Sequence, residues 1–199
     1  MSETPFNESY LQYQTNRSWI RKIIRNIYLW QVQRLVIGDT IDFGCGIGEQ
    51  LSLFSKDSIG LEINKSTVAY CQSKGLNVTL YDPEIDNYTL NDFPENKYQT
   101  LVISHVLEHL NDSDLILKKL MESCSRIGVK RVIIIVPCEL GFKHDKTHIT
   151  FINDRYLKEK NLLAHANFIA EKKGYFPFNL KFIGKIFTYN EFFVIYNSK

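Results

Sequence analysis

The sequence predicts an α/β fold, a doubly wound and mostly parallel seven-stranded sheet with helices on both faces and an antiparallel C-terminal hairpin. Three features predict it. Short apolar runs alternate with amphipathic stretches of about ten residues, as right-handed βαβ crossovers require. The first of these runs stops at a glycine-rich turn. Two aromatic-rich apolar runs close to the C-terminus are separated only by a turn-like stretch, which suits an antiparallel pair.

Taken in order, Tyr10, Tyr13, Trp19, Ile20, Ile23, Ile24, Ile27, Trp30 and Val32 are interleaved with Arg17, Arg21, Lys22, Arg25 and Arg34. Their spacings of three and four describe amphipathic helix. Residues 39–44 form a short buried strand ended by glycine, and 49–54 begin a helix. Residues 58–62 are a second strand, 64–74 a helix capped by Gly75, and 77–81 a third strand. A fourth strand at 98–104, a helix at 113–124 and a fifth strand at 130–136, stopped by Pro137, continue the alternation. The end of the chain reads as a helix over 155–173 ended by Gly174, then strands at 178–182 and 191–196 around a turn at Gly184.

Composition restricts the function classes. At 199 residues and 44% hydrophobic, the chain suits one domain with a sizeable core. It divides into an N-terminal helical cap (1–37), a core (38–136) and a segment with a substrate loop, helix and hairpin (137–199). Lys plus Arg number 24 against 22 Asp plus Glu, a net charge of +2, so no strong field invites nucleic acid or anionic lipid. The apolar runs are far shorter than the ~20 residues of a membrane helix. The polar, acidic start lacks a secretory pattern. Cys45, Cys71, Cys124 and Cys138 are scattered, which fits thiols in a reducing cytoplasm.

The chemistry concentrates at Ile41-Asp42-Phe43-Gly44-Cys45-Gly46-Ile47-Gly48-Glu49. Alternate glycines directly after a strand let the backbone approach a ligand closely. Glu62, at the end of the next strand, suits the two hydroxyls of a ribose, and Asp82, after the third, suits an exocyclic amine. The spacing is G-x-G-x-G rather than G-x-G-x-x-G. Glu49 stands where a pyrophosphate would be crowded and repelled, so a nucleoside without phosphates is expected.

With these residues in place, the chain resembles the class I S-adenosylmethionine-dependent methyltransferases, whose sheet is Rossmann-like. The resemblance covers about positions 38–199 and rests on 42–48, Glu62, Asp82 and Ser104-His105-Val106-Leu107-Glu108-His109-Leu110. Pro137 and the stretch His144-Asp145-Lys146-Thr147-His148 are similar to the loop after the fifth strand in the small-molecule branch, which includes ubiquinone-biosynthesis and sugar methyltransferases. The resemblance implies S-adenosyl-L-methionine as cofactor, held by Asp42, Phe43, Gly44, Cys45, Gly46, Gly48, Glu62, Ile63, Asp82, Ser104 and His105. Tyr13 and Arg17, on one face of the N-terminal helix, are expected to cover it and to meet its carboxylate. Tyr81 departs from the family, which often has a small residue beside the adenine carboxylate.

Four of the five histidines form pairs of equal spacing, His105/His109 and His144/His148. The order His105-Val-Leu-Glu-His109 matches the H-x-x-E-H of one zinc peptidase group. That motif needs a helix presenting both histidines and a further ligand, so no metal is expected, and Glu108 and His109 are read as packing against the glycine loop. His148 is the expected proton acceptor, with Asp145 or His144 in support and His105 as the next candidate. The reading is thus a cytoplasmic methyltransferase, monomeric or homodimeric, acting on a hydroxyl of a small metabolite or saccharide. Its alternatives are an N-methyltransferase of a small amine or amino sugar, a non-catalytic S-adenosylmethionine-binding protein, and a nucleic-acid methyltransferase.

Overall fold

The computed structural model describes residues 19–199. Helix α1 (Trp19–Gln33) leads into β1 (Thr40–Phe43), and β2 (Ile59–Glu62), α2 (Lys65–Ser73) and β3 (Val78–Leu80) follow. Next come β4 (Thr100–Ser104), α3 (Ser113–Arg126), β5 (Arg131–Pro137) and the short helices α4 (Glu139–His144) and α5 (Asp154–Glu159). Strands β6 (Ala164–His165), β7 (Phe168–Phe176) and β8 (Glu191–Ser198) end the chain. The sheet order is β3-β2-β1-β4-β5-β8-β7-β6. Strands β1 to β5 are parallel, and β8 runs antiparallel beside β5.

Alternation along the central strands divides the core between the two faces. Leu101, Ile103, Val132 and Ile134 pack with Leu117, Leu120, Met121 and Cys124 of α3. Val102, Ile133 and Ile135 pack with Tyr28, Leu29 and Val32 of α1. Because β4 and β5 are covered on both sides, they read as continuous apolar runs.

Three local expectations are corrected. Residues 49–54 form only a single 3-10 turn (Leu51–Leu53). Too little chain remains before β2 for a helix, and Ser55 turns it by donating to Asp39 Oδ1 at 2.6 Å. The helix expected over 155–173 stops at Glu159, after which Asn161 and Ala166 take left-handed conformations and the chain enters β6 and β7. Pairing of β7 with β8 overrides the helical preference of Glu171, Lys172 and Lys173. Gly174 therefore lies inside a strand, where a Cβ would be 2.8 Å from the Phe193 ring. Residues 178–182 are not a strand but part of the connection to β8, with Phe178, Leu180 and Phe182 exposed. The sheet has eight strands, not seven, because the two-residue β6 adds an edge.

Helix α4, which begins the loop after β5, is seated through Gly141. A Cβ there would lie 2.6 Å from the backbone oxygen of Thr188. Gly141→Ala is expected to cost about 1–3 kcal/mol of stability, the usual scale of overpacking. Urea unfolding measures this, and an unchanged midpoint would contradict the tight seat.

Candidate active site

The glycine loop leaves β1 at Phe43 and stays tied to β2: Gly44 N–H and Cys45 N–H both donate to the Leu61 carbonyl, at 2.9 and 3.1 Å. Gly44, Gly46 and Gly48 have φ of +74°, +54° and +75°, a region that side chains disfavour. Their surroundings differ. A Cβ on Gly44 would lie 2.5 Å from Val106, and one on Gly48 2.4 Å from Leu76, whereas one on Gly46 meets nothing within 4 Å. Gly44 and Gly48 thus permit packing, and Gly46 borders open space.

Glu62 holds this loop. One carboxylate oxygen accepts from Gly46 N–H at 2.9 Å and the other from Asn64 N–H at 2.9 Å. Burial pushes its pKa up against the opposing pull of these N–H groups and that of Ile63. Asn64 also caps α2 by accepting from Thr67 N–H at 3.1 Å. Ile63 is exposed at the same rim. Asp82 Oδ1 accepts from Glu84 N–H at 3.0 Å and so shapes its own turn.

Beneath the loop, Asp42 is buried with Oδ2 unpartnered, while Oδ1 accepts a long 3.5 Å bond from Gln50. Helix α1 supplies the neighbours. Tyr28 donates to Gln50 Oε1 at 3.2 Å and bonds Ser104 Oγ, and Arg25 pairs with Glu49 at 3.0 Å. Arg25 is thereby engaged by Glu49 rather than offered to a phosphate. Burial pushes the Tyr28 phenol up, so it remains a donor. Tyr28 and Gln50 escaped the sequence reading because helical spacing marks Tyr28 only as core and Gln50 lay in an expected helix. The Phe43 ring packs on Tyr81 and Tyr88 in the core, leaving only its backbone at the loop. Cys45 is buried beside Cys71, whose thiol donates to the Gly46 carbonyl at 3.3 Å. Tyr13 and Arg17 lie outside the described residues.

A second polar group follows β4. His105 has a φ of +56°, uncommon for a side-chain-bearing residue and frequent where function holds strain. Its Nδ1 lies 3.2 Å from Glu108 and its Nε2 3.7 Å from Glu191. Burial lowers its pKa, but the carboxylates of Glu191 and Glu108 outweigh that and the net direction is upward. Burial also pushes Glu191 up, opposed by His105. Glu191 had no signal in the sequence; the antiparallel register Pro137↔Glu191 brings it to this rim.

The loop after β5 places its residues unequally. His144 is exposed at the end of α4 and is not brought to the others. Asp145 Oδ1 accepts from Thr147 N–H at 2.9 Å, and its Oδ2 lies 3.9 Å from His148 Nε2. The His148 side chain is only 8% exposed and its ring stacks on Phe142. Glu108 and His109 face this loop rather than the glycine loop: Ile149 and Thr150 N–H donate to the Glu108 carbonyl at 2.7 and 3.0 Å, and the His109 and His148 rings meet edge-on at 4.8 Å. An open concavity beside β7 is lined by Asp154, Lys173 and Tyr175 but by none of the predicted site residues.

With this geometry established, the chain can be compared with known proteins. The family model of methionine biosynthesis protein MetW matches residues 29–168. The chain belongs to the MetW family. No curated protein matches it. Among solved structures, this MetW-family chain is similar to a SAM-dependent methyltransferase from Archaeoglobus fulgidus, at 19% identity and a TM-score of 0.65, covering 96% of this chain and 100% of the other. It is also similar to magnesium protoporphyrin IX methyltransferase (ChlM) from Synechocystis PCC 6803 with bound SAH, at 14% identity and a TM-score of 0.63, covering 97% and 95%. Geranyl diphosphate C-methyltransferase from Streptomyces coelicolor A3(2) is 12% identical with a TM-score of 0.57, covering 82% and 71%. At these identities the likeness is one of fold.

Burial and the nearby Glu62 push Asp42 up to about 7, with Arg25 opposing. Unfolded aspartate titrates near 4. Between these values the folded chain keeps a proton that the unfolded chain has lost, so this group lowers stability as pH rises through that window. Asp42→Asn is expected to remove the loss, gaining on the order of a few kcal/mol over wild type between about pH 4 and pH 7. Denaturant unfolding at both pH values tests this. A difference independent of pH would contradict it.

Proposed function

We propose that the chain is an S-adenosylmethionine-dependent methyltransferase that moves a methyl group to a hydroxyl of a small metabolite or saccharide. The observation that carries this reading is the open face at Gly46, with a buried, unpartnered Asp42 oxygen below it and Glu62 beside it. An unpaired buried acceptor is costly, and a cationic amino group of a ligand would satisfy it. These residues fit a nucleoside bearing an amino acid. Glu62 would take the ribose hydroxyls on its remaining lone pairs, Ile63 would pack against the base, and Asp82 would meet its edge. Ser104, His105, Cys45 and the Phe43 backbone would border the same crevice, and Tyr13 and Arg17 would close over it.

When bound, the cofactor supplies an electrophilic methyl on a positive sulfonium. The chain's share is alignment, exclusion of water and removal of the acceptor's proton. The acceptor enters between the glycine loop and the loop after β5, where His148 and Asp145 lie. The Phe142 carbonyl holds His148 Nδ1 at 2.9 Å. Nε2 is therefore the atom that meets the acceptor.

In this reading 1–37 is a cap, 38–136 holds the cofactor and 137–199 forms the acceptor side of a single cytoplasmic enzyme, monomer or homodimer. Transfer to a small amine or amino sugar is the second reading, favoured by the buried carboxylates of Glu108 and Glu191, which suit a cationic acceptor. A screen with methyl-labelled S-adenosylmethionine over polyols, saccharides, quinols, amines and nucleic acid decides between them. Label on a saccharide or other hydroxyl acceptor supports the first reading, on an amine the second, and on nucleic acid neither. Glu62→Gln is expected to weaken cofactor binding by roughly 1.5–3 kcal/mol, the scale of hydrogen bonds to a charged group. Unchanged affinity in calorimetry would remove Glu62 from the ribose site.

A further inference from the structure

The 3-10 turn Leu107–His109 and the loop after α4 bring three ligating side chains together. One donor atom from each of Glu108, His109 and His148 lies within 4.8 Å of the others. Donors around a divalent ion with bonds near 2.1 Å sit roughly 3.4 Å apart, so a contraction of at most about 1.4 Å would bring all three to ligand distance. We propose that Glu108, His109 and His148 form a binding site for a divalent transition-metal ion, with open positions for an acceptor hydroxyl. Binding of the ion stands on these residues alone; its use in transfer rests on the methyltransferase reading.

Two further observations point to a cation. The ring orientations are already fixed from behind. His148 Nδ1 lies 2.9 Å from the Phe142 carbonyl and His109 Nδ1 3.3 Å from that of Thr147. A carbonyl only accepts, so His148 donates through Nδ1 and turns Nε2 toward the cluster, the usual arrangement of a metal-binding histidine, while His109 Nδ1 also lies 3.1 Å from the Thr147 hydroxyl. The second is charge. His148 Nε2 faces Glu108 Oε1 at 4.0 Å and Asp145 Oδ2 at 3.9 Å, so carboxylate oxygens gather about a ring nitrogen that can ligate. Glu108 is fully buried and its Oε2 has no hydrogen-bond partner, as is true of Glu191 Oε2. Arg25 acts on Glu191 only through space and is itself paired with Glu49. A dication between Glu108 and the two imidazoles would give the unpartnered Glu108 oxygen a partner.

Two imidazoles and one carboxylate suit zinc and its transition-metal neighbours rather than magnesium or calcium. Three protein ligands leave room for an oxygen. With the ion bound, His148 Nε2 would be a ligand in place of the proton acceptor, and a coordinated hydroxyl would lose its proton to water more readily. His105 Nδ1, 3.2 Å from Glu108 Oε1, holds that carboxylate in place, with Glu191 3.7 Å from its Nε2. The sequence reading expected no metal because His105 starts in a turn and no helix presents both histidines of H-x-x-E-H; the site proposed here uses only Glu108 and His109 of that stretch, and His148 joins them from a distant loop.

The test uses the full chain stripped with chelator and titrated with Zn2+ by calorimetry, with Co2+ absorption as a reporter of coordination. One equivalent is expected to bind. His109→Ala and His148→Ala should each weaken it by about tenfold or more, while His165→Ala, a histidine paired with Glu122 elsewhere, should not. Far-UV spectra confirm folding, and His109, partly exposed, is the variant least exposed to folding failure. Wild type without stoichiometric Zn2+ or Co2+, or ligand variants that bind as wild type, would overturn the site. A chain that binds Zn2+ but not S-adenosylmethionine would keep the metal site and refute the transferase reading.

Discussion

The candidate site depends on one carboxylate placed between two backbones. Glu62 ends β2 and accepts from Gly46 of the loop after β1 and from Asn64 at the start of α2. This fixes a loop of three left-handed glycines that has little packing of its own at Gly46. The parallel register Phe43↔Leu61 sets the distance. Without the Glu62 carboxylate the Gly46 N–H would lose its partner, and the most open part of the loop would lose its tie to β2. Holding the loop in advance also spares a ligand part of the ordering cost on binding.

The rest of the rim follows from topology. Parallel strands β1, β2, β4 and β5 deliver Asp42, Glu62, His105 and the following loop to one edge, as open α/β sheets do at their carboxyl ends. The antiparallel β8 adds its first residue, Glu191, to that edge. Several acids are thus buried in a small volume. Asp42, Glu108 and Glu191 each keep one unpartnered oxygen, which is unusual in a native interior and understandable where positively charged ligands are to be held.

Much of this was legible in the residues. Strand-helix alternation through residue 136 follows from apolar periodicity, and the glycine turn and Glu62 from their positions after strands. In the C-terminal third the closing antiparallel strand was legible, but its partner was misread for a physical reason: Phe168, Gly174 and Phe176 are placed by pairing with β8, a long-range contact that local helical preference contradicts. The same applies to the polar cluster. His148 reaches Glu108 and His109 across 40 residues of chain, and Glu191 reaches His105 only through the sheet register. Spacing along the chain contains neither fact.

The central claim is that this crevice takes a phosphate-free nucleoside with a cationic amino acid end. Parallel calorimetric titrations of the wild-type chain with S-adenosylmethionine and with NAD test it most directly. The account predicts saturable one-to-one binding of S-adenosylmethionine and no binding of NAD, because Gly46 is open, Asp42 Oδ2 has no partner and Arg25 is held by Glu49. Saturable binding of NAD with none of S-adenosylmethionine would contradict it.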